Sequence, residues 1–247
     1  MNNLVRHGVI ASSRSAAGPA PSSLFTGLVA YWALDEASGT RADSHTNSLD
    51  LTDNNTVGQV TGNTYANAAD FVAAQSEYLS HASNSLLQPL SLTFSMWVKP
   101  DILTGGVIPF LSKHDSVGTQ QSYLLYYYAP TAKLYWAVYH PDGTVSQPAS
   151  AVTPMVVGNW YHIVVTVDDQ NELQLIINNG TPAVLAVTKS LKTSTGLFGI
   201  GAYYSNSSPI SLMDGAAGPV SFWNRVLTSS EITTLHNSGA GLKYSQL

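Results

Sequence analysis

The chain has 247 residues, 10% of them charged, a formal net charge of −5 and no cysteine. That length suits one all-β domain plus a tail; the missing cysteines exclude disulfides, zinc–thiolate centres and thiol nucleophiles. No Lys/Arg cluster offers a nucleic-acid backbone its counter-charge, and no apolar run reaches the ~18–20 residues of a membrane span.

Residues 1–23 lack the continuous apolar stretch of about 7–15 residues that a secretory leader needs, so no signal peptide is expected. Leu4–Val5 and Val9–Ile10 flank Arg6, His7 and Gly8. Residues 11–23 are mostly small, with Pro19 and Pro21, and read as an extended linker. The stretch is either a disordered tail or an anchoring arm that seats Leu4, Val5, Arg6, Val9 and Ile10 in a partner. The domain proper is expected over residues 24–247.

Residues 28–34 form an apolar strand closed by the turn formers at 35–40. A short strand is expected at 49–51, and the polar, Gly/Asn-rich residues 52–67 read as loop. Short strands follow at 69–72 and 78–80. Residues 92–99 alternate strictly, with Leu92, Phe94, Met96 and Val98 on one face and Thr93, Ser95, Trp97 and Lys99 on the other. Strands at 107–111, 123–128, 133–139, 161–167 and 173–177 continue at the spacing of an antiparallel meander. Asn178-Asn179-Gly180 is a strong turn, because Asn and Gly tolerate φ > 0. The last strands are expected at 196–202 and 219–223.

The helix stands at 229–237. Thr228 and Glu231 make a capping box, Leu227 and Ile232 a hydrophobic staple, and Gly239 suits the residue after the helix. Many short strands and one late helix predict an all-β, antiparallel two-sheet sandwich or jelly roll with one short C-terminal helix behind an extended N-terminal arm.

The segment 214–228, Asp-Gly-Ala-Ala-Gly-Pro-Val-Ser-Phe-Trp-Asn-Arg-Val-Leu-Thr, resembles the closing motif of the laminin-G-like, concanavalin-A-like jelly-roll domains. Tyr31-Trp32-x-Leu34-Asp35-Glu36-x-Ser38-Gly39-Thr40 with Asp43 is similar to the family's opening, and Leu92 to Pro100 to its central strand. Leu111-Ser112-Lys113, Trp160 to Asp168, Leu175-x-x-Asn178-x-Gly180 and Gly199-Ile200-Gly201 follow in the family's order. The resemblance spans about residues 28–239 and implies fold more than function. It implies adhesion or sugar recognition more often than catalysis. The family often carries an Asp-Glu pair after the closing Asp-Gly, the first of which helps hold a structural calcium with an aspartate such as Asp43. Gly218 and Pro219 stand there instead. Asp43, Asp214 and backbone carbonyls are a thin ligand set for calcium, so no cofactor and no metal-binding residue is assigned.

Catalytic constellations are lacking. Glucanases of this superfamily use carboxylates spaced Glu-x-Asp-x-x-Glu; Glu36, Glu77, Glu172 and Glu231 do not fall in that pattern, and Glu231 is used by the helix cap. The seven histidines show no metal-binding spacing. His162 is expected to pack or hydrogen-bond within its strand. Neither a Gly-x-Ser-x-Gly elbow nor a phosphate-binding glycine loop occurs. The chain is therefore expected not to be an enzyme.

Tyrosines are more suggestive. With Leu134, Trp136 and Val138 pointing inward, Tyr135 and Tyr139 face outward beside Tyr126 and Tyr128. Such a face stacks sugar rings or meets a protein, though tyrosine also suits half-exposed strands for its own sake. His140 and Asp142, in the turn 140–143, and Tyr203 and Tyr204, in the loop 203–206, are the rim candidates. The expected function is a structural or adhesion protein of a particle, such as a phage capsid decoration, head-fibre or tail-associated protein. In that reading the arm contacts other structural proteins and the jelly roll faces outward toward host glycans, at the virion surface. The alternative is a free, extracellular lectin-like module. A homo-oligomer would suit a fibre, but no heptad segment demands one.

Overall fold

A computed structural model describes residues 23–117, 120–149 and 155–247; the arm residues Leu4, Val5, Arg6, Val9 and Ile10 lie outside the described residues. The first strands are β1 (Leu28–Trp32), β2 (Thr52–Asn54), β3 (Gly58–Thr61), β4 (Asn67–Phe71), β5 (Tyr78–His81) and β6 (Leu92–Pro100). Then come β7 (Val107–Asp115), β8 (Gln120–Tyr128), β9 (Lys133–Tyr139), β10 (Val145–Ser146), β11 (Tyr161–Asp168) and β12 (Glu172–Ile177). The chain continues through β13 (Ala183–Ala186), β14 (Phe198–Ile200), β15 (Ala202–Ser205), β16 (Ser208–Leu212) and β17 (Gly215–Trp223) to the helix α1 (Ser229–His236).

The strands form two packed sheets. One has eight strands in the order β13-β12-β11-β6-β17-β4-β3, with β1 also on β17. The other has nine, in the order β10-β9-β8-β7-β14-β5-β2, with the β15–β16 hairpin attached to β7. The ladders are antiparallel except for one parallel bridge, Tyr204 to Asp115. β17 pairs along one edge with β4 through Gly215–Ala217 and with β1 through Val220–Trp223. The register shift between Ala217 and Val220 brackets Gly218 and Pro219, the latter without an N–H to give the ladder.

Between the sheets runs an aromatic seam. Phe94 stacks on Phe222 at 4.2 Å and on Phe198 at 6.0 Å; Tyr123 joins Phe94 to Trp136. Burial of each ring removes enough apolar surface to stabilise the sandwich by about 1.5–3 kcal/mol. Their polar atoms are paired: Trp136 Nε1 donates to Thr166 O and Tyr123 Oη to Leu87 O. The outer face of the eight-stranded sheet is covered as well, because Leu227, Ile232 and Leu235 of the helical segment pack with Leu24, Val164, Ile176 and Trp223. β6 is therefore buried on both faces. In this layer Ser95 Oγ bonds His162 Nε2 at 2.7 Å, and Trp97, His162 and His236 stack.

Several expectations need correction. Residues 52–67 are not all loop: β2 and β3 lie there, because pairing to β5 and β4 at the sheet edges extends a stretch whose polar side chains face solvent. Residues 49–51 contribute only an isolated bridge, Leu51 to Arg41, rather than a strand. β7 runs four residues beyond Leu111, β17 begins at Gly215, and β16 arises where no strand is expected. The meander breaks after β10, where the chain crosses to the other sheet. The helix turns left-handed at Asn237 (φ 46), two residues before Gly239.

Candidate functional site on the tyrosine face

The nine-stranded sheet presents its outer face through β7, β8 and β9. Alternation sends Leu134, Trp136 and Val138 into the core, so Tyr135, Ala137 and Tyr139 face outward. On β8 the same period turns Ser122, Leu124, Tyr126 and Tyr128 outward. Tyr126 and Tyr135 are direct cross-strand partners. Their rings stack at 5.2 Å and 15°, and Tyr128 meets Tyr135 edge-on at 6.4 Å. All three are half-buried. Tyr126 Oη donates to Gln147 Oε1, and Tyr135 Oη shares a hydrogen bond with Thr131 Oγ1.

A second group lies further along the same face. Tyr139 packs edge-on against His114 at 5.1 Å, and His114 against Tyr203 at 5.4 Å. His114 Nε2 and Tyr139 Oη are 3.2 Å apart. Leu124 and Ala137 pair in register and lie buried, a smooth apolar floor on an outward face. The buried Ser122 Oγ and His114 Nδ1 have no hydrogen-bond partner among the described residues.

The β15–β16 hairpin walls this face. Ser112 Oγ donates to Ala202 O, and Ser211 Oγ to Val107 O, pinning the hairpin over β7. Its two-residue turn, Asn206 (φ 50) and Ser207 (φ 59), is left-handed at both positions. The Asp115 carboxylate accepts both turn N–H groups, at 2.8 and 2.6 Å, and Val117 N–H at 3.0 Å. Burial raises the Asp115 pKa, but these three bonds outweigh it and hold the carboxyl below its usual range.

The patch is electrically quiet. Burial, with the nearby phenols of Tyr139, Tyr135, Tyr128 and Tyr203, pushes Tyr126 up to about 12. Burial also raises Tyr139 and Tyr203, and lowers His114 despite its neighbour Asp115. At neutral pH these groups are uncharged hydrogen-bonding partners on a ring-lined surface. Lys133, opposite Tyr128 in register, places a cation at one end.

Five of the eight expected residues thus converge: Tyr126, Tyr128, Tyr135, Tyr139 and Tyr203. The other three do not. Tyr204 is fully buried beneath the hairpin against Tyr78 and presents no surface. His140 is buried too, its ring nitrogens bonded to Ser190 O and Ser146 Oγ, so it ties down the turn after β9. Asp142 accepts from Thr144 and pairs with Lys189 at 2.6 Å, closing the same turn; the Lys189 bond holds its carboxyl well below the usual range. His114 and Ser122 are the residues that sequence reasoning missed. Alternation carried past Leu111 would have placed His114 outward, but the polar run Lys113-His114-Asp115 disguises the end of β7.

The carboxylates are occupied structurally. Glu36 accepts from Ala42 N–H, Glu77 from Val72 N–H, Glu172 from Gln174, and Glu231 from Arg225 and Thr228. Asp43 accepts three backbone N–H groups, and Asp214 accepts one from Ala73. Among the described residues, no three His, Asp or Glu side chains gather as a metal site.

A family model described as the Concanavalin A-like lectin/glucanases superfamily matches residues 73–233. The chain belongs to that superfamily. Among solved structures it is similar to the binding domain of Paraclostridial Mosquitocidal Protein 1, at TM-score 0.69 and 15% identity over 87% of this chain and 52% of that one. It is also similar to domain 4 of an extracellular arabinanase from Geobacillus stearothermophilus, solved with arabinotriose, at TM-score 0.61 and 18% identity over 84% and 97% of the two chains. A third likeness is the ligand binding domain of botulinum neurotoxin serotype D with N-acetylneuraminic acid, at TM-score 0.62 and 10% identity over 85% and 50%. At these identities the likeness shows the fold alone. The chain spans about half the length of the two toxin domains. No curated protein sequence matches it.

Proposed function

We propose that this chain is a non-catalytic binding module that holds glycans on the tyrosine face of its nine-stranded sheet. The observation that carries the reading is the half-exposed Tyr126–Tyr135 stack, continued by Tyr128, Tyr139, His114 and Tyr203 around the floor of Leu124 and Ala137. A sugar ring lays its C–H face on such rings while phenolic hydroxyls meet its own hydroxyls. Two similar structures contain a saccharide, arabinotriose in one and N-acetylneuraminic acid in the other, which supports the ligand class. The engagement of all four glutamates in hydrogen bonds of the fold supports binding without hydrolysis. Isothermal titration against neutral and sialylated oligosaccharides tests the reading. Tyr126→Ala and Tyr135→Ala should each weaken binding about tenfold, the equivalent of ~1.4 kcal/mol; unchanged affinity in both would overturn it.

The finer reading is a structural protein at the surface of a particle such as a phage virion, fastened through residues 1–23. The two apolar pairs Leu4–Val5 and Val9–Ile10 beside Arg6 support it, being suited to a groove on another structural protein. A chain starting at Ser22 should then no longer co-sediment with particles from its source while keeping its glycan affinity. Co-sedimentation that survives the deletion would refute the anchor and leave a free lectin-like module.

A further inference from the structure

We infer that the opposite side of the sandwich carries a second saccharide site, in the cleft between α1 and the turn that follows β12. The inference takes its ligand class from the glycan reading above but rests on different residues. The cleft has a volume of about 540 Å³, within the ~300–1,000 Å³ of small-molecule sites. Its floor is Ile176, Leu227 and Ile232, each below 5% exposure and continuous with the apolar layer under the helix. Its rim is polar and uncharged: Gln174, Asn179 and Thr233.

The rim is built rather than incidental. Asn178 (φ 51) and Asn179 (φ 54) are both left-handed, and Gly180 N–H closes the turn onto Ile177 O at 2.9 Å, lifting Asn179 over the floor. Thr233 Oγ1 on α1 hydrogen-bonds Asn179 Oδ1 at 3.1 Å across the cleft. Thr233 Oγ1 also lies 2.9 Å from Ser229 O one turn back, so its single proton serves one of the two acceptors, and the Asn179 amide brings both donor and acceptor capacity to the rim. Gln174 gives one N–H to Glu172, which leaves its second N–H to donate and its carbonyl oxygen to accept. The lining contains no Asp, Glu, Lys or Arg side chain, so a metal ion or phosphate finds no counter-charge. An apolar floor ringed by amides and a hydroxyl suits a ligand with one C–H face and several hydroxyls, a neutral mono- or disaccharide unit. Each protomer would then carry two sites on opposite sheets and could bridge two glycan chains.

The test is an amide-resolved NMR titration of the full chain with a panel of neutral oligosaccharides that includes arabinotriose. The expected result is two separate sets of shifts, one at Gln174, Gly180 and Thr233 and one at Tyr126 and Tyr135, with two ligands bound per chain by calorimetry. The pair Gln174→Ala and Thr233→Ala should weaken the cleft set about tenfold and leave the tyrosine set intact. Thr233 is exposed on α1, where alanine favours the helix. Tyr135→Ala should do the converse. Shifts confined to the tyrosine face, with one ligand per chain, would overturn the second site and leave the first standing. Shifts confined to the cleft would uphold the second and overturn the first, and silence at both faces would overturn both.

Discussion

Gly199→Ala tests whether the hairpin that walls the tyrosine face is wedged in place. Gly199 lies in β14, paired to Ser80 and Ser112, with the Tyr204 ring lying across it. A Cβ there would stand 2.4 Å from Tyr204 Oη, 2.9 Å from Cε2 and 3.0 Å from Cζ. Heavy atoms prefer about 3.5–4.0 Å, so the ring must retreat by roughly 1 Å. It has nowhere to go: Tyr204 is fully buried and abuts Tyr78 at 5.8 Å. Overpacking of this kind costs about 1–3 kcal/mol. For a chain of this size each kcal/mol lowers Tm by about 2–4 °C. Urea unfolding should show a lower midpoint with unchanged slope. Tyr203 should shift with its neighbour away from His114, and glycan affinity should fall several-fold. Tyr204→Phe in the same background removes the closest contact and should recover part of the loss; the hydroxyl has no partner among the described residues, so Tyr204→Phe alone should be close to neutral. A Gly199→Ala protein within about 0.5 kcal/mol of the parent would refute the wedge and the argument that the hairpin is rigidly seated.

Two further outcomes follow from buried titratable groups. Burial, aided by His236, pushes His162 down to about 3, so it stays neutral in the fold while the unfolded chain takes up a proton near pH 6.5. Its contribution is complete above that pH and is lost as pH falls toward 3, with a slope of up to about 1.4 kcal/mol per pH unit; His162→Gln should flatten stability measured from pH 6.5 to 4. Asp115→Ala should cost about 1–3 kcal/mol by stripping three backbone N–H groups of their acceptor, and should speed hydrogen exchange at Asn206 and Ser207. Because its folded pKa is lowered, the Asp115 contribution is present above about pH 4 and lost below it, so acid unfolding of the variant should shift less than the parent's; an equal shift would assign the turn's stability elsewhere.

What could be read without a structure was local. The alternation of Leu134, Trp136 and Val138 against Tyr135 and Tyr139 depends only on the two-residue period of a strand, and it holds. The Thr228–Glu231 capping box and the left-handed Asn178–Asn179 turn are likewise written in four or five consecutive residues. Their order along the chain was enough for the superfamily and the sandwich. Tertiary structure decided which candidates share a surface. Tyr203 and Tyr204 are adjacent in sequence, and alternation says only that they point opposite ways. Which one is buried follows from β15 folding onto the outer face of β7, a contact with residues about ninety positions away. His140 looked like a rim residue because its own turn is polar; Ser190, fifty residues on, claims its ring. The cleft beside α1 is likewise a product of two distant segments, joined by Thr233 and Asn179. Periodicity and capping are set by neighbours a few bonds apart. Burial and convergence are set by which strands pair, and those partners lie far along the chain.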